Sequence, residues 1–227
     1  MKKTFFYLLI LPFNFCLAQN YSSTLSVNDI VGDHAVFGVK SENSGKSLKY
    51  DEIAGSPYFD KNFYNAKVAN DYGTVPIRYN SYKDEIEFEN EGKPLVLPKD
   101  PKFYKIELLS PKKTIVYLNT EDNLTGYFFE IVDGKNILYK KVKTKFIDSV
   151  PAANSYATDK PASFKQLDPI YYIKANNRFI KSPKSQKDII NSFSDKKDEI
   201  EGFFKSNKIK FNKEEDLIKL TNFLNSI

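Results

Sequence analysis

Arg78-Tyr79-Asn80, followed by Tyr82 and Glu87, is where this sequence gathers a planar cation, phenols, an amide and a carboxylate in a short space. Such a set can recognise a carboxylate, a phosphate or a sugar hydroxyl, because the guanidinium donates in a fixed fork and the amide both donates and accepts. The same residues have a plainer use. Arg78 can pair with Glu87 across neighbouring strands while Tyr79 packs inward. Arg78, Tyr79, Asn80, Tyr82 and Glu87 are therefore the candidate ligand-binding residues.

Other chemistries find less support. His34 is the sole histidine, set in a Gly-Asp loop with Asp29 and Asp33 nearby, and no nucleophile signature accompanies it. It reads as a surface histidine, and no catalytic residue is assigned. Asp84, Glu85, Glu87, Glu89 and Glu91 could supply the two carboxylates of a glycosidase. Glu85, Glu87 and Glu89 alternate opposite Ile86 and Phe88, however, which is the pattern of a solvated strand face. The acidic loops lack the oxygen spacing of a calcium loop, and one histidine without cysteine is a poor zinc set. Nine glycines form no phosphate-cradling run. No metal and no cofactor are expected, and the chain reads as non-enzymatic.

The N-terminus bears on compartment. Met1-Lys2-Lys3 is a short positive region, Phe5 to Leu11 an apolar run, and Ala18 a small residue before Gln19. This is a cleavable secretory signal over residues 1–18, too short to span a bilayer, which takes ~20 residues. Cys16 could mark lipid attachment, but Phe15 stands where that processing requires a small residue. Cleavage after Ala18 removes the one cysteine, leaving no disulfide or thiol chemistry. The formal charge of +5 falls by two, and lysines and acids alternate throughout, unlike a clustered nucleic-acid footprint. The expected location is the periplasm or the extracellular space, with no transmembrane segment after cleavage.

The elements that must position these residues are mostly strands. Aromatic residues make up 15% of the chain, tyrosine and phenylalanine without tryptophan, which suits a sheet. Ala35 to Val39 is the one strand expected before residue 48. Phe63 to Ala69 can pair with Val75 to Asn80, with Val75, Ile77 and Tyr79 on one face and Pro76 at an edge or strand start. Glu85 to Glu89, Leu95 to Leu97, Phe103 to Leu109 and Thr114 to Leu118 follow. Tyr127 to Val132 and Lys135 to Val142 flank Asp133-Gly134, which predicts a hairpin with a type I′ turn. Lys140, Lys141, Lys143 and Lys145 interleave with apolar residues, the mark of an outer sheet face. Residues 150–164 read as a loop, and Ile170 to Lys174 with Arg178 to Ile180 as a last hairpin. The period then changes from 2 to 3.6. Ser185 with Asp188 opens one helix, and Asn212 with Glu215 opens a second.

Gly55-Ser56-Pro57-Tyr58, Arg78-Tyr79-Asn80, Glu85-Ile86-Glu87 and Tyr171-Tyr172-Ile173, ahead of two lysine- and glutamate-rich helices, resemble a family of exported proteins of Bacteroidota, of flavobacterial type. The family is uncharacterised. The resemblance implies an organismal setting and export, and no activity or catalytic residue.

The fold class expected is α+β: an antiparallel β-meander or half-barrel over 48–182, after a loop-rich segment 19–47, with a C-terminal helical hairpin over 183–227 packed on it. The function expected is a non-catalytic binding or scaffold module of the envelope, with an unidentified envelope protein as partner. The alternative is a carrier holding a small apolar or amphipathic ligand in a curved-sheet cavity.

Overall fold

The structure, a computed structural model, describes residues 25–227 except 155, so the signal expected over 1–18 lies outside the described residues. Fifteen strands are described: Asp33–His34 (β1), Gly38–Lys40 (β2), Ser47–Lys49 (β3), Tyr64–Lys67 (β4), Thr74–Asn80 (β5), Glu85–Asn90 (β6), Lys93–Val96 (β7), Lys105–Leu108 (β8), Lys113–Leu118 (β9), Gly126–Val132 (β10), Ile137–Lys141 (β11), Thr144–Ile147 (β12), Ser163–Gln166 (β13), Ile170–Ala175 (β14) and Arg178–Lys181 (β15). The helices Gln186–Ser192 (α1), Lys197–Ser206 (α2) and Glu214–Ser226 (α3) follow. The class is α+β, as the alternation of strands and the late change of period indicate.

Eleven strands form one antiparallel sheet in the order β1-β7-β6-β5-β4-β8-β9-β10-β11-β14-β15. Two meanders are joined where the chain leaves β7 and returns to place β8 against β4. Strands β5 and β10 lie four spacings of ~4.8 Å apart along that order, roughly 19 Å if the sheet were flat. Yet the Tyr79 and Phe129 rings approach to 5.9 Å, and Tyr79 and Tyr127 to 6.4 Å. The sheet therefore curls on itself, with Val75, Ile77, Tyr79, Phe88, Ile106 and Phe129 buried inside.

Side chains and the turn backbone close the seam. The turn Ser81–Asp84 between β5 and β6 meets the segment after β11: Thr144 N–H donates to Ser81 O at 3.0 Å, and the two hydroxyls lie 2.7 Å apart. Lys141, expected on an outer face, is 2% exposed and pairs with Asp84 at 2.8 Å. It is buried because the seam folds over it, a contact between positions 57 residues apart that local alternation does not encode.

The helices cover the far end of the same inner face. Leu217, Leu220, Thr221 and Leu224 recur on one side of α3 and pack with Leu138, Ile173 and Ala175. Phe203 of α2 stacks on Phe223 of α3 at 4.2 Å, making the helical hairpin. Ser185 caps α1 with Asp188 in a reciprocal capping box, as its sequence indicates. The first helix nevertheless breaks at Phe193, whose backbone leaves helical values so that its ring, Ile189 and Ile200 are all buried. Asn212 and Glu215 do not cap the last helix. It starts at Glu214, and Asp216 reaches back to accept from Lys210 N–H at 3.0 Å.

Several local expectations are corrected. Residues 35–37 are not a strand: β1 joins the large sheet while β2 turns away to pair with β3. Pro76 sits inside the sheet opposite Asn65 of β4, although the ladder to β6 begins one residue later at Ile77. The Asp133-Gly134 connection is wider than a two-residue turn, because Val132 pairs with Leu138 across a bulge. Its Asn136 is used by the helix end: Asn136 N–H donates to Asn225 Oδ1 and its Nδ2 to Leu224 O. The Asn176-Asn177 turn does carry positive φ at both residues, 49° and 60°. The expected loop ends early: Ser163 and Phe164 already belong to β13, paired with β12.

Candidate functional site

Arg78 and Glu87 face one another across the β5–β6 ladder, so their side chains leave the same face. Arg78 Nη2 lies 2.6 Å from Glu87 Oε2 and Nε 2.8 Å from the same oxygen. Nη2 also donates to Tyr58 Oη at 2.7 Å. The guanidinium carbon sits 3.8 Å from the centre of the Tyr58 ring and 4.5 Å from that of Phe63, so the cation is held between two aromatic faces. Asn80 Nδ2 donates to Glu87 Oε1 at 3.0 Å, and Asn80 Oδ1 accepts from Lys83 N–H.

Glu87 is thus 1% exposed and does not lie on a solvated face. The segment from Gly55 to Phe63 folds over this side of β6, and its Tyr58 and Phe63 exclude water. Burial, helped by the Glu87 charge, pushes the Tyr58 phenol up. Glu85 also has its carboxyl raised by burial, whereas Glu89 is exposed as the alternation indicates.

The five candidate residues divide in two. Arg78, Asn80 and Glu87 come together. Tyr79 points the other way, donating to Asp84 Oδ1 at 2.6 Å, and burial raises its phenol well above the usual range. Tyr82 lies in the turn, half-buried, with its ring 5.2 Å from that of Phe164. Tyr58 and Phe63 complete the cluster, and of these only the Gly-Ser-Pro-Tyr motif marks Tyr58 in the sequence. The plainer use holds: Glu87 occupies Nε and Nη2 of Arg78, and the pair is a buried structural tie. His34 is exposed on the short edge strand β1 opposite Leu95.

A cavity for cargo would have to lie inside the curl. Phe88, Tyr127 and Phe129 fill that space, each 5% exposed or less. The void between Phe59, Tyr64, Ile77 and Phe129 measures about 40 Å³, room for a water molecule or so.

A second polar cluster fixes the loop after β9. Asp122 accepts from Lys181 Nζ, Tyr172 Oη, Thr120 Oγ1 and Leu124 N–H. Desolvation opposes its charge, but these donors outweigh it and hold the carboxyl well below the usual carboxylate range. A depressed folded-state value means that the stabilisation is present above the unfolded value of about 3.9 and is lost as pH falls through the folded one. Asp122→Asn is expected to be less stable than the parent at pH 7, the gap narrowing steadily below about pH 4. Urea unfolding at a series of pH values checks this, and a gap independent of pH would refute it.

Among the described residues no helix is long and apolar enough to cross a membrane. No family model, no curated protein and no solved structure matches the chain.

Proposed function

We propose that the chain is an exported, non-catalytic module of the bacterial envelope that binds a protein partner, of the Bacteroidota type its sequence resembles. Export is supported by the positive start, apolar run and Ala18 of residues 1–18. The Gly-Ser-Pro-Tyr segment is held against the turn that follows Arg78-Tyr79-Asn80. Pro57 O accepts from Tyr82 N–H and Ser81 Oγ, and Tyr58 completes the Arg78–Glu87 tie.

One observation carries the binding reading. Of nine large apolar side chains left exposed among the described residues, six (Val36, Phe37, Ile147, Val150, Tyr156 and Leu167) belong to the segments around β2–β3 and β12–β13, while Leu25, Val31 and Leu109 lie elsewhere. These are two small two-stranded sheets, β13 being met on its second side by Ala54, whose carbonyl accepts from Phe164 N–H at 2.7 Å. They flank an open cleft of about 580 Å³ where Val39, Tyr82, Phe146 and Leu167 share the lining with charged residues, among them Lys40, Lys145 and Asp148. An edge strand beside an exposed apolar surface offers both backbone donors and area to a partner. The filled interior favours this reading over a carrier.

Native mass spectrometry of protein gently purified from its host envelope tests it. The expected species starts at Gln19 and carries a protein partner, and the partner is lost from an Ile147→Lys/Leu167→Lys variant that keeps its circular dichroism. A reproducible small-molecule adduct in place of a partner would restore the carrier. Partner retention by the variant would move binding away from these sheets.

A further inference from the structure

At the β8–β9 pair, Tyr104 and Tyr117 stack with ring centres 4.6 Å apart and planes 25° apart. Two open clefts of about 390 and 740 Å³ meet at this pair, which lines both. A ridge of two aromatic rings between two troughs is the shape that an extended chain of flat, partly apolar units can straddle.

The charge around the ridge is positive in excess, most of it beside the first cleft. Lys67, Lys102 and Lys105 line the first cleft against Glu107, and Lys174 lines the second against Glu121. Lys99 adds a further ammonium 5.8 Å from the Tyr117 ring centre. The Lys105–Glu107 pair, at 3.8 Å and with both side chains more than half exposed, removes little of the excess. The second cleft also presents Asn119, Thr125 and Asn177, groups that donate to and accept from hydroxyls. Asn119 Oδ1 accepts from Glu121 N–H and Thr125 Oγ1, which fixes its side chain.

We infer that the Tyr104–Tyr117 ridge and its two flanking clefts bind an acidic polysaccharide, the sugar rings lying on tyrosine and their carboxylates or sulfates meeting the lysines. The amides and the hydroxyl of the second cleft suit a ligand rich in hydroxyl groups. Glu107 and Glu121 can accept from sugar hydroxyls. The chain's two arginines, the side chains best shaped for phosphate, line neither cleft. The choice of a polysaccharide rests on the exported reading, while the site itself is separate from the partner-binding sheets.

Polygalacturonate titrated into the purified mature protein, followed by tyrosine fluorescence and calorimetry, is the test. Saturable binding is expected at roughly 0.15 M salt, weakening as salt rises, with no binding of neutral dextran. Tyr104→Ala and, separately, the surface pair Lys102→Ser/Lys105→Ser should each weaken binding about tenfold or more. The lysine pair is exposed, so its result stands even if Tyr104→Ala folds poorly. Binding unchanged by Tyr104→Ala in a folded protein would reduce the site to adventitious charge. Tighter binding of single-stranded oligo(dT) would make it a nucleic-acid site, and no polygalacturonate binding would end the proposal. No partner is present in this assay, so its failure leaves the envelope-module reading standing.

Discussion

Replacing Arg78 with methionine is expected to lower folding stability by about 3–5 kcal/mol, as for loss of one partner from a buried ion pair. The change leaves the Glu87 carboxylate 1% exposed without its cation, although Asn80 Nδ2 still donates to it. It also removes the cation held between Tyr58 and Phe63. Arg78→Lys should fall between, because an ammonium keeps the charge but cannot reach Glu87 and Tyr58 together from a planar fork. Arg78→Met/Glu87→Leu should recover most of the loss, since it removes both charges and fills the space with apolar volume. Urea unfolding of the four proteins decides the matter. A loss below about 1 kcal/mol for Arg78→Met would mean that the pair behaves as an exposed one. A double variant as unstable as the single would place the contribution in packing around Tyr58.

That pairing could be read from the sequence because it is local. Val75, Ile77 and Tyr79 on one face force Arg78 to the other, and a hairpin through Ser81–Asp84 puts Glu87 opposite it. What could not be read is its burial. Glu87 alternates with Ile86 and Phe88 as a solvated residue would, and it is covered by Tyr58 and Phe63, side chains far back in the chain. Lys141 repeats the lesson. Its neighbours Lys140 and Lys143 are the company of an outer face, and its partner Asp84 lies across a seam that exists once the sheet has curled. Alternation reports which residues share a face, and it is silent on what later folds over that face.

Turns show the same limit. Asn176-Asn177 adopts the positive φ values its composition favours. Asp133-Gly134 has an equally good local signal, but Asn136 bonds Leu224 and Asn225 at the end of α3, and the connection opens to reach them. The helix break at Phe193 likewise answers to the sheet beneath it. The Tyr104–Tyr117 ridge was not visible in the sequence at all. Tyr104 follows a short 3-10 turn and Tyr117 lies on β9, and their stacking depends on the β8–β9 register.

Gly126→Ala should be comparably damaging, for a reason the seam makes explicit. Gly126 has φ +147°, a backbone region that disfavours any side chain, and a methyl group there would overlap the Asp84 carboxylate. Asp84 accepts from Lys141 Nζ at 2.8 Å, from Tyr79 Oη at 2.6 Å and from Tyr127 N–H at 3.3 Å. Displacing it strands an ammonium whose side chain is 3% exposed and opens the contact between the β5–β6 turn and β11. Burial already lowers the Lys141 ammonium below its usual range, with Asp84 opposing that shift. The expected loss is about 3–5 kcal/mol, the cost of an uncompensated buried charge. Gly92→Ala is the control: φ is +73° with nothing within 4 Å of the added methyl, so backbone strain of roughly 1–2 kcal/mol is all it should show. Chemical denaturation should therefore separate the two alanines by a wide margin. Hydrogen exchange should report faster opening of β5, β6 and β11 in Gly126→Ala than in Gly92→Ala. Equal losses at the two glycines would mean that the Asp84–Lys141 contact does not hold the curled sheet shut, and that apolar packing around Tyr79 and Phe129 does so alone.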